Sequence, residues 1–317
     1  MSTSKLYRAQ GALLGQLAGD ALGSLVEFRT SESILREYPE GVRLLADGGT
    51  WDTIAGQPTD DSEMALLLAR MLVDIGVYNA EAARKEYVYW LDSDPFDCGG
   101  TISRGLGTNS PDETSQANGA MMRISPLGIF GANYDFDQTA DWAMKDAAIT
   151  HPHPVCQQAN ALFAGAIAEA VRDEIEPGKL YNKIVHWAED MSVDSSLMRI
   201  IKTAETAPPD DYVYQQGWVL IAFQNALWQL LHAPNFEEAV VDTVMRGGDT
   251  DTNAAICGAL LGAVHGREAV PAQWIDKLLN CRPDAANPNV NHPRPECFWP
   301  TDVLDLSEKL LISAKQQ

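Results

Sequence analysis

Residues 246–253 read Arg246-Gly247-Gly248-Asp249-Thr250-Asp251-Thr252-Asn253, and a run of small, apolar residues follows as far as Gly262. Such a run is typical of a tightly packed buried helix, with Asp249 or Thr250 as its N-cap after a glycine turn. The stretch therefore places two carboxylates where a buried helix begins. Because an unpaired buried carboxylate is costly and Arg246 is the only cation close in sequence, a hard metal ion is the favoured partner.

A second stretch has the same chemistry. Residues 57–63 read Gln57-Pro58-Thr59-Asp60-Asp61-Ser62-Glu63, and an apolar helical run from Met64 to Leu72 follows. Adjacent side chains point about 100° apart within a helix, but at a helix N-terminus two carboxylates can converge. The two stretches can therefore meet and form an all-oxygen site. Its predicted ligands are Thr59, Asp60, Asp61, Asp249, Asp251 and Thr252.

This set of ligands suits Mg²⁺ or Mn²⁺ and is poorly suited to zinc or copper. Four carboxylates are more than one divalent ion needs, so we expect two ions. Helix N-termini repel cations, but four full negative charges outweigh about half a positive unit per helix end. The alternative is that these residues only cap helices. Each stretch alone favours capping, whereas the two taken together favour a metal site.

Composition narrows the classes of function. The 317 residues are 45% hydrophobic and contain no linker or low-complexity tract, which predicts a single domain over residues 1–317. A formal charge of -21 opposes binding to nucleic acid and to anionic membranes. Five cysteines without a Cys-x-x-Cys motif favour reduced thiols. With no signal-peptide core and no long apolar run, the expected location is cytoplasmic.

Helical periodicity dominates, and no convincing alternating strand of five or more residues is present. The predicted fold is therefore all-α, a single compact orthogonal helical bundle with a dinuclear metal site at helix N-termini. The segment from Leu6 to Leu25 is rich in glycine and alanine, which indicates close approach of another helix or a ligand. We expect residues 30–58 to form a lid-like loop, residues 105–119 a turn-rich segment, and the tail beyond Asn280 a strap.

Motifs along nearly the whole chain resemble the ADP-ribosylglycohydrolase family, which includes the glycohydrolase that acts on dinitrogenase reductase. The two acidic stretches contribute to this resemblance, and their order and spacing with the other motifs make it specific. The other motifs are Gly11-Ala12-Leu13-Leu14-Gly15, Gly19-Asp20-Ala21-Leu22-Gly23, Asn118-Gly119-Ala120-Met121-Met122-Arg123 and Thr150-His151-Pro152.

The resemblance implies a metal-dependent hydrolase that removes ADP-ribose from modified protein side chains, with arginine as the expected acceptor. It places Glu27 on a loop facing the scissile ribose and Asp97 near the leaving guanidinium. These two residues are therefore the expected acid and base of glycosidic cleavage, in either assignment. The expected cofactors are two Mg²⁺ or Mn²⁺ ions. The expected partners are an ADP-ribosylated protein and the product ADP-ribose, with no nucleic acid and no membrane.

Two kinds of argument predict the substrate-binding residues: the properties of glycine turns and the family resemblance. A glycine turn that opens a helix can hold phosphate oxygens on backbone N–H groups. His151 lines the ribose pocket by resemblance, and Tyr212 is a candidate to stack on adenine, although Asp211 departs from the family pattern there. Arg123 is either a phosphate contact or half of an internal salt bridge to the acidic site. The expected binding residues are Asn118, Gly119, Met121, His151, Tyr212, Gly247 and Gly248.

Three other functions are alternatives to this hydrolase. A metal phosphohydrolase would use acidic clusters too, but it usually needs several histidines, and the six here are scattered. A reader or immunity protein would bind ADP-ribosylated targets or an ADP-ribosylating toxin, with hydrolysis secondary or absent. A purely structural relative would be expected to lose metal ligands, and none is missing here. The sequence does not decide between arginine and serine as the acceptor or between Mg²⁺ and Mn²⁺. It also does not determine the oligomeric state.

Overall fold

The computed structural model describes residues 2–108 and 110–314. This part of the chain contains fifteen α-helices, three single 3₁₀ turns and isolated β-bridges but no sheet, which confirms the predicted all-α class. The helices are α1 (Thr3–Gly23), α2 (Ser31–Glu37), α3 (Asp60–Ile75), α4 (Ala80–Asp92), α5 (Gly100–Gly107), α6 (Ser125–Gly131), α7 (Phe136–Ala148), α8 (Pro154–Arg172), α9 (Pro177–Asp190), α10 (Ser195–Thr203), α11 (Val219–His232), α12 (Phe236–Met245), α13 (Thr250–His265), α14 (Ala272–Asn280) and α15 (Val303–Ile312).

Helices α1 and α13 form the centre of the molecule, and both are buried along most of their length. They run antiparallel at very close range because glycines face each other at the contact. A Cβ atom added to Gly15 would lie 2.1 Å from the Gly258 carbonyl oxygen, and one added to Gly258 would lie 2.1 Å from the Gly15 oxygen. The predicted close approach to the first helix is therefore confirmed, and its partner is α13.

The antiparallel arrangement brings the end of α1 to the start of α13. Gly23 packs against the backbone of Asp251, and the Thr250 hydroxyl donates to the Gly23 carbonyl at 2.7 Å. One turn earlier on α1, Asp20 accepts hydrogen bonds from the start of α3. The N-termini of α3 and α13 therefore meet beside the C-terminus of α1, and this is where the site lies.

Three segments differ from the sequence-based expectations. The lid-like loop contains the short helix α2, and the first part of the turn-rich segment belongs to α5. The tail beyond Asn280 forms a strap only as far as Pro300, its last proline. After them, α15 buries an apolar face against α1, with Val303, Leu306 and Leu310 in the core. None of the helices in the described ranges is long and apolar enough to cross a membrane.

Candidate active site

A cleft of about 280 Å³ opens where the N-termini of α3 and α13 meet the loops that follow α1 and α4. It brings together residues that are far apart in sequence. Residues predicted for the site that line this cleft are Glu27, Asp60, Asp97, Asn118, Gly119, His151, Asp249, Asp251 and Thr252.

The start of α3 is capped from another helix. Thr59 is the N-cap residue, but its side chain makes no capping hydrogen bond. Instead, the buried Asp20 carboxylate of α1 accepts from the Thr59 hydroxyl at 2.9 Å, from the Thr59 amide at 3.2 Å and from the Ser62 amide at 3.2 Å. Because Asp20 satisfies these donors, Asp60 and Asp61 are not needed for capping.

Asp61 lies where the two acidic stretches meet. Its Oδ2 atom accepts from the Thr252 hydroxyl at 3.3 Å and lies 3.3 Å from the Thr59 hydroxyl, whose proton points to Asp20. Its Oδ1 atom is buried and has no hydrogen-bond partner. An unpartnered buried carboxylate oxygen is unfavourable, and a cation would satisfy it. The donor set around Asp61 therefore fits a hard metal ion.

Asp249 and Asp251 belong to the first turn of α13. Asp249 is the N-cap, yet its side chain does not cap the helix. Its Oδ2 atom instead accepts from the Asn118 side-chain amide at 2.7 Å, while Asp251 accepts from the Thr252 amide at 2.8 Å. Asn118 therefore orients a predicted ligand, which is a role that its position in the sequence did not suggest.

The electrostatics of the cleft are those of a cation site. Among the described residues that line it, none is a lysine or an arginine. Burial, followed by repulsion from neighbouring carboxylates, raises the pKa values of Asp61 and Asp251 well above their usual range. Burial also raises the pKa values of Asp60 and Asp249. A bound cation would relieve both the burial and the repulsion.

Glu27 and Asp97 lie at one side of the cleft. Their carboxylate oxygens and one of Asp251 all lie within 4.8 Å of one another. The Trp51 indole N–H donates to Glu27 Oε2 at 2.6 Å and fixes that carboxyl group. Burial and then Asp249 raise the pKa of Glu27 to about 8, and burial and then Asp60 raise the pKa of Asp97 to about 10. Burial and repulsion therefore favour the protonated forms of these two groups, and a bound cation would lower both pKa values and favour the charged carboxylates.

His151 reaches the cleft from the end of α7. Its Nδ1 atom lies 2.8 Å from the Thr150 hydroxyl, and its buried Nε2 atom has no partner. A Cβ atom on Gly119 would lie 3.1 Å from His151 Cε1, so glycine leaves room for the ring. Burial, with the nearby Arg123 adding to it, lowers the pKa of His151 to about 3. The imidazole is therefore neutral at physiological pH.

Two predicted binding residues lie elsewhere. Met121 is buried in the core, and its neighbour Met122 lines the cleft in its place. Tyr212 is buried outside the cleft wall, with its hydroxyl donating to Asn225 at 2.8 Å. The expected stacking of Tyr212 on adenine is therefore corrected: its ring belongs to the packing beneath the loop, not to the cleft surface.

The Gly247-Gly248 pair also has a different role from the expected ligand contact. Both residues adopt left-handed backbone conformations, with φ values of 79° and 77°. The Gly248 carbonyl accepts from the Phe28 amide at 2.8 Å, and the Gly248 amide donates to the Arg29 carbonyl at 2.9 Å. The pair therefore holds the loop that carries Glu27 against the start of α13.

Arg123 forms a buried internal salt bridge, which is one of its two expected roles. Its partner, however, is Asp146 and not a carboxylate of the acidic site. Its Nε atom lies 3.1 Å from Asp146 Oδ1, its Nη1 atom donates to the Thr150 hydroxyl, and the guanidinium lies over the Tyr87 ring. Because it is fully buried outside the cleft, it is not available to a phosphate.

Three residues without a predicted role support the site. Asp20 caps α3, Trp51 holds Glu27, and the Gly99 amide lies 3.4 Å from Asp60 Oδ2. Asp20 could have been found, because it is the one acid within the small-residue segment of the first helix. Trp51 and Gly99 carry no comparable signal, since each acts through a partner more than 20 residues away in sequence.

Comparison with known proteins gives a consistent result. The family model ADP-ribosylglycohydrolase matches residues 1–313. The chain is 32% identical over 288 residues to ADP-ribosyl-(dinitrogen reductase) glycohydrolase of Rhodospirillum rubrum, covering 86% of this chain and 90% of that protein. It is 27% identical over 291 residues to ADP-ribosylarginine hydrolase Tri1 of Pseudomonas putida, covering 86% and 74% respectively.

A solved structure, described as an ADP-ribosylglycohydrolase-related protein complex, matches with a TM-score of 0.80 at 25% sequence identity. The match covers 99% of this chain and 100% of that chain. The helical fold, the acidic cleft and the match over residues 1–313 agree: this chain belongs to the ADP-ribosylglycohydrolase family and is a hydrolase that acts on glycosidic bonds of ADP-ribose.

Proposed function

We propose that this hydrolase removes ADP-ribose from arginine side chains of modified proteins. The observation that supports this acceptor is the charge of the cleft, where Glu27 and Asp97 line the wall and no described lining residue is a lysine or an arginine. Such a cleft favours a cationic acceptor over a neutral one. Of the similar proteins, the one from Pseudomonas putida is named an ADP-ribosylarginine hydrolase.

We further propose that the protein uses two divalent ions, Mg²⁺ or Mn²⁺. The buried, unpartnered oxygen of Asp61 and the raised pKa values of the carboxyl groups around it support a cation at this place. When bound, such ions would polarise substrate oxygens and a water molecule by Lewis-acid chemistry. The proposed ligands are Thr59, Asp60, Asp61, Asp249, Asp251 and Thr252.

The chain's own side chains prepare this site before a substrate binds. Asp20 holds the backbone at the start of α3, and Asn118 holds Asp249, so the carboxylates are oriented in advance. Cleavage of a glycosidic bond passes through an oxocarbenium-like state and needs a proton for the leaving group. We assign the proton transfer to Glu27 and Asp97, which line the cleft close to each other. Trp51 holds Glu27 in place for this step.

The test is release of free ADP-ribose from a protein that is mono-ADP-ribosylated on arginine. We expect release with Mg²⁺ or Mn²⁺, none with a chelator, and a loss of roughly a hundredfold or more in Asp249→Ala, because even partners of metal ligands contribute 10- to 100-fold. Asp141→Ala is the matched control, since Asp141 is an exposed acid on α7 that pairs with Lys145. That variant should keep full activity.

A serine-linked substrate is assayed in parallel. Release from serine but not from arginine would overturn the proposed acceptor and leave the family chemistry intact. Tight binding of the modified protein without release under any metal condition would instead favour the reader or immunity function, whose target would be the modified protein or an ADP-ribosylating toxin.

A further inference from the structure

We propose that Phe28 is the surface on which the acceptor guanidinium stacks, and that this residue therefore decides which acceptor side chains the enzyme takes. The inference rests on the proposed function at arginine and adds to it a binding element for the acceptor, which is separate from the groups that hold ADP-ribose and the ions.

Phe28 is unusual among the large apolar residues of this chain. The residue is 54% exposed, whereas most residues of its kind are buried in the core. It also lines the cleft, directly after Glu27 in sequence. An aromatic ring exposed at the wall of a cleft offers a large apolar surface to whatever binds there. The packing of the chain leaves this ring uncovered, and a bound substrate would cover it.

The backbone at Phe28 is held in place by the site itself. Its φ of 65° lies in the left-handed region, which costs a non-glycine residue roughly 1 kcal/mol or more. The Phe28 amide donates to the Gly248 carbonyl at 2.8 Å, and Gly248 directly precedes Asp249. The position of the ring is therefore coupled to the turn that begins α13, and such conformations persist only where the surroundings hold them.

The neighbours of Phe28 combine aromatic and acidic groups. The Trp51 ring contacts Phe28 edge-on, with centroids 6.3 Å apart and an interplanar angle of 75°. The same indole donates its N–H to Glu27, and Phe96 also packs against it, with ring centroids 5.9 Å apart. Trp51 therefore fixes both the aromatic ring and the carboxyl group that a ligand would meet.

This combination matches a guanidinium. The group is planar and positively charged, so it stacks on aromatic faces and donates paired hydrogen bonds to carboxylates. Phe28 offers the face, while Glu27 and Asp97 offer the carboxyl groups. Adenine would also stack on a phenylalanine, but it is neutral and gains no attraction from two neighbouring acids. The charge therefore assigns Phe28 to the acceptor and not to the adenosine.

The experiment compares Phe28→Leu and Phe28→Gly with the wild type. Leucine removes the aromatic face, and glycine removes the ring while accepting the left-handed backbone, so at least one variant should fold. We expect both to raise the KM for the arginine-linked substrate roughly fivefold to tenfold, with kcat much less affected. The Kd for free ADP-ribose should stay unchanged. Phe28→Tyr keeps the aromatic face and should restore the wild-type KM.

Tyr89→Leu is the matched control, because Tyr89 is an aromatic residue of similar exposure that does not line the cleft. A weaker Kd for free ADP-ribose in both Phe28 variants would overturn the inference, since the ring would then hold ADP-ribose. An unchanged KM for the arginine-linked substrate would overturn it as well. If the wild type itself releases nothing from arginine, the proposed function fails, and this result is distinct from both of the others.

Discussion

At the scale of single residues, helix capping and metal binding compete for the same acidic side chains. Thr59 and Asp249 are both N-cap residues, and neither side chain makes a capping bond. Asp20 caps α3 from a neighbouring helix, and Asn118 orients Asp249. The capping alternative therefore does not account for these two residues, because Asp249 lines the cleft and Asp20, not Thr59, caps α3.

We expect His151 to make the free energy of unfolding depend on pH. Its pKa of about 3 in the folded protein lies below the ordinary value of 6.5, so unfolding takes up a proton between these values. Its contribution to the stability is complete above pH 6.5 and is lost as the pH falls. At pH 4.5 we expect a loss of about 2–3 kcal/mol in the free energy of unfolding relative to pH 7.

The measurement is urea unfolding of the wild type and His151→Gln at both pH values, in a chelator. The variant should lose less stability between pH 7 and pH 4.5 than the wild type, by about the same 2–3 kcal/mol. The comparison between the two proteins removes the contribution of the cleft carboxyl groups, whose raised pKa values act in the opposite direction. Equal losses in the two proteins would contradict the prediction.

At the scale of elements, the contact between α1 and α13 explains the composition of both helices. Contacts repeat every four residues, with Gly11 against Gly262, Gly15 against Gly258, and Gly19 against Ala254. Side chains larger than hydrogen have no room at the five glycine positions of this contact. The glycines lower the intrinsic stability of each helix, and the close packing of the pair compensates. Because the site lies at one end of this contact, the packing also positions Asp251.

We predict that Gly15→Ala destabilises the protein by about 3 kcal/mol or more. Its Cβ atom would lie 2.1 Å from the backbone oxygen of Gly258, so one helix must move. Helix propensity alone would give the opposite sign, about 1 kcal/mol of stabilisation. The control is Gly178→Ala in the first turn of α9, where an added Cβ atom meets nothing within 4 Å. That change should alter the free energy of unfolding in urea by less than about 1 kcal/mol. Equal effects of the two substitutions would contradict this account.

At the scale of the whole molecule, the C-terminal strap joins distant parts of the site. Arg294 is buried and binds Glu63 of α3 with two nitrogens, each at 2.8 Å. It also donates to the Ser93 carbonyl at 2.9 Å, on the loop that leads to Asp97. The strap therefore connects the start of α3 with the loop that carries a proposed acid or base. The organisation of residues 1–317 as one domain stays a prediction that these contacts support.

We predict that Arg294→Met lowers the free energy of unfolding by about 3–5 kcal/mol, because it leaves the buried Glu63 without its counter-charge. Adding Glu63→Gln should recover at least half of this loss, since glutamine keeps an acceptor for the Trp90 indole. The control Arg70→Met breaks a more exposed pair with Asp302 and should cost about 1 kcal/mol or less. Urea unfolding measures all four proteins. A double variant as unstable as Arg294→Met would show that packing, not charge, explains the loss.

Features that depend on neighbours along the chain could be predicted from the amino-acid sequence. These are the helical class, the two acidic stretches at helix starts, and the glycine pattern of the first helix, because periodicity, capping chemistry and turn residues act over a few positions. By contrast, the packing of the helices against one another sets which side chains face the cleft. It placed Met122 there instead of Met121, buried Tyr212, and gave Phe28 and Asp20 their partners on distant segments. The direction of a side chain depends on what packs against it, and that contact is made across the fold, not along the sequence.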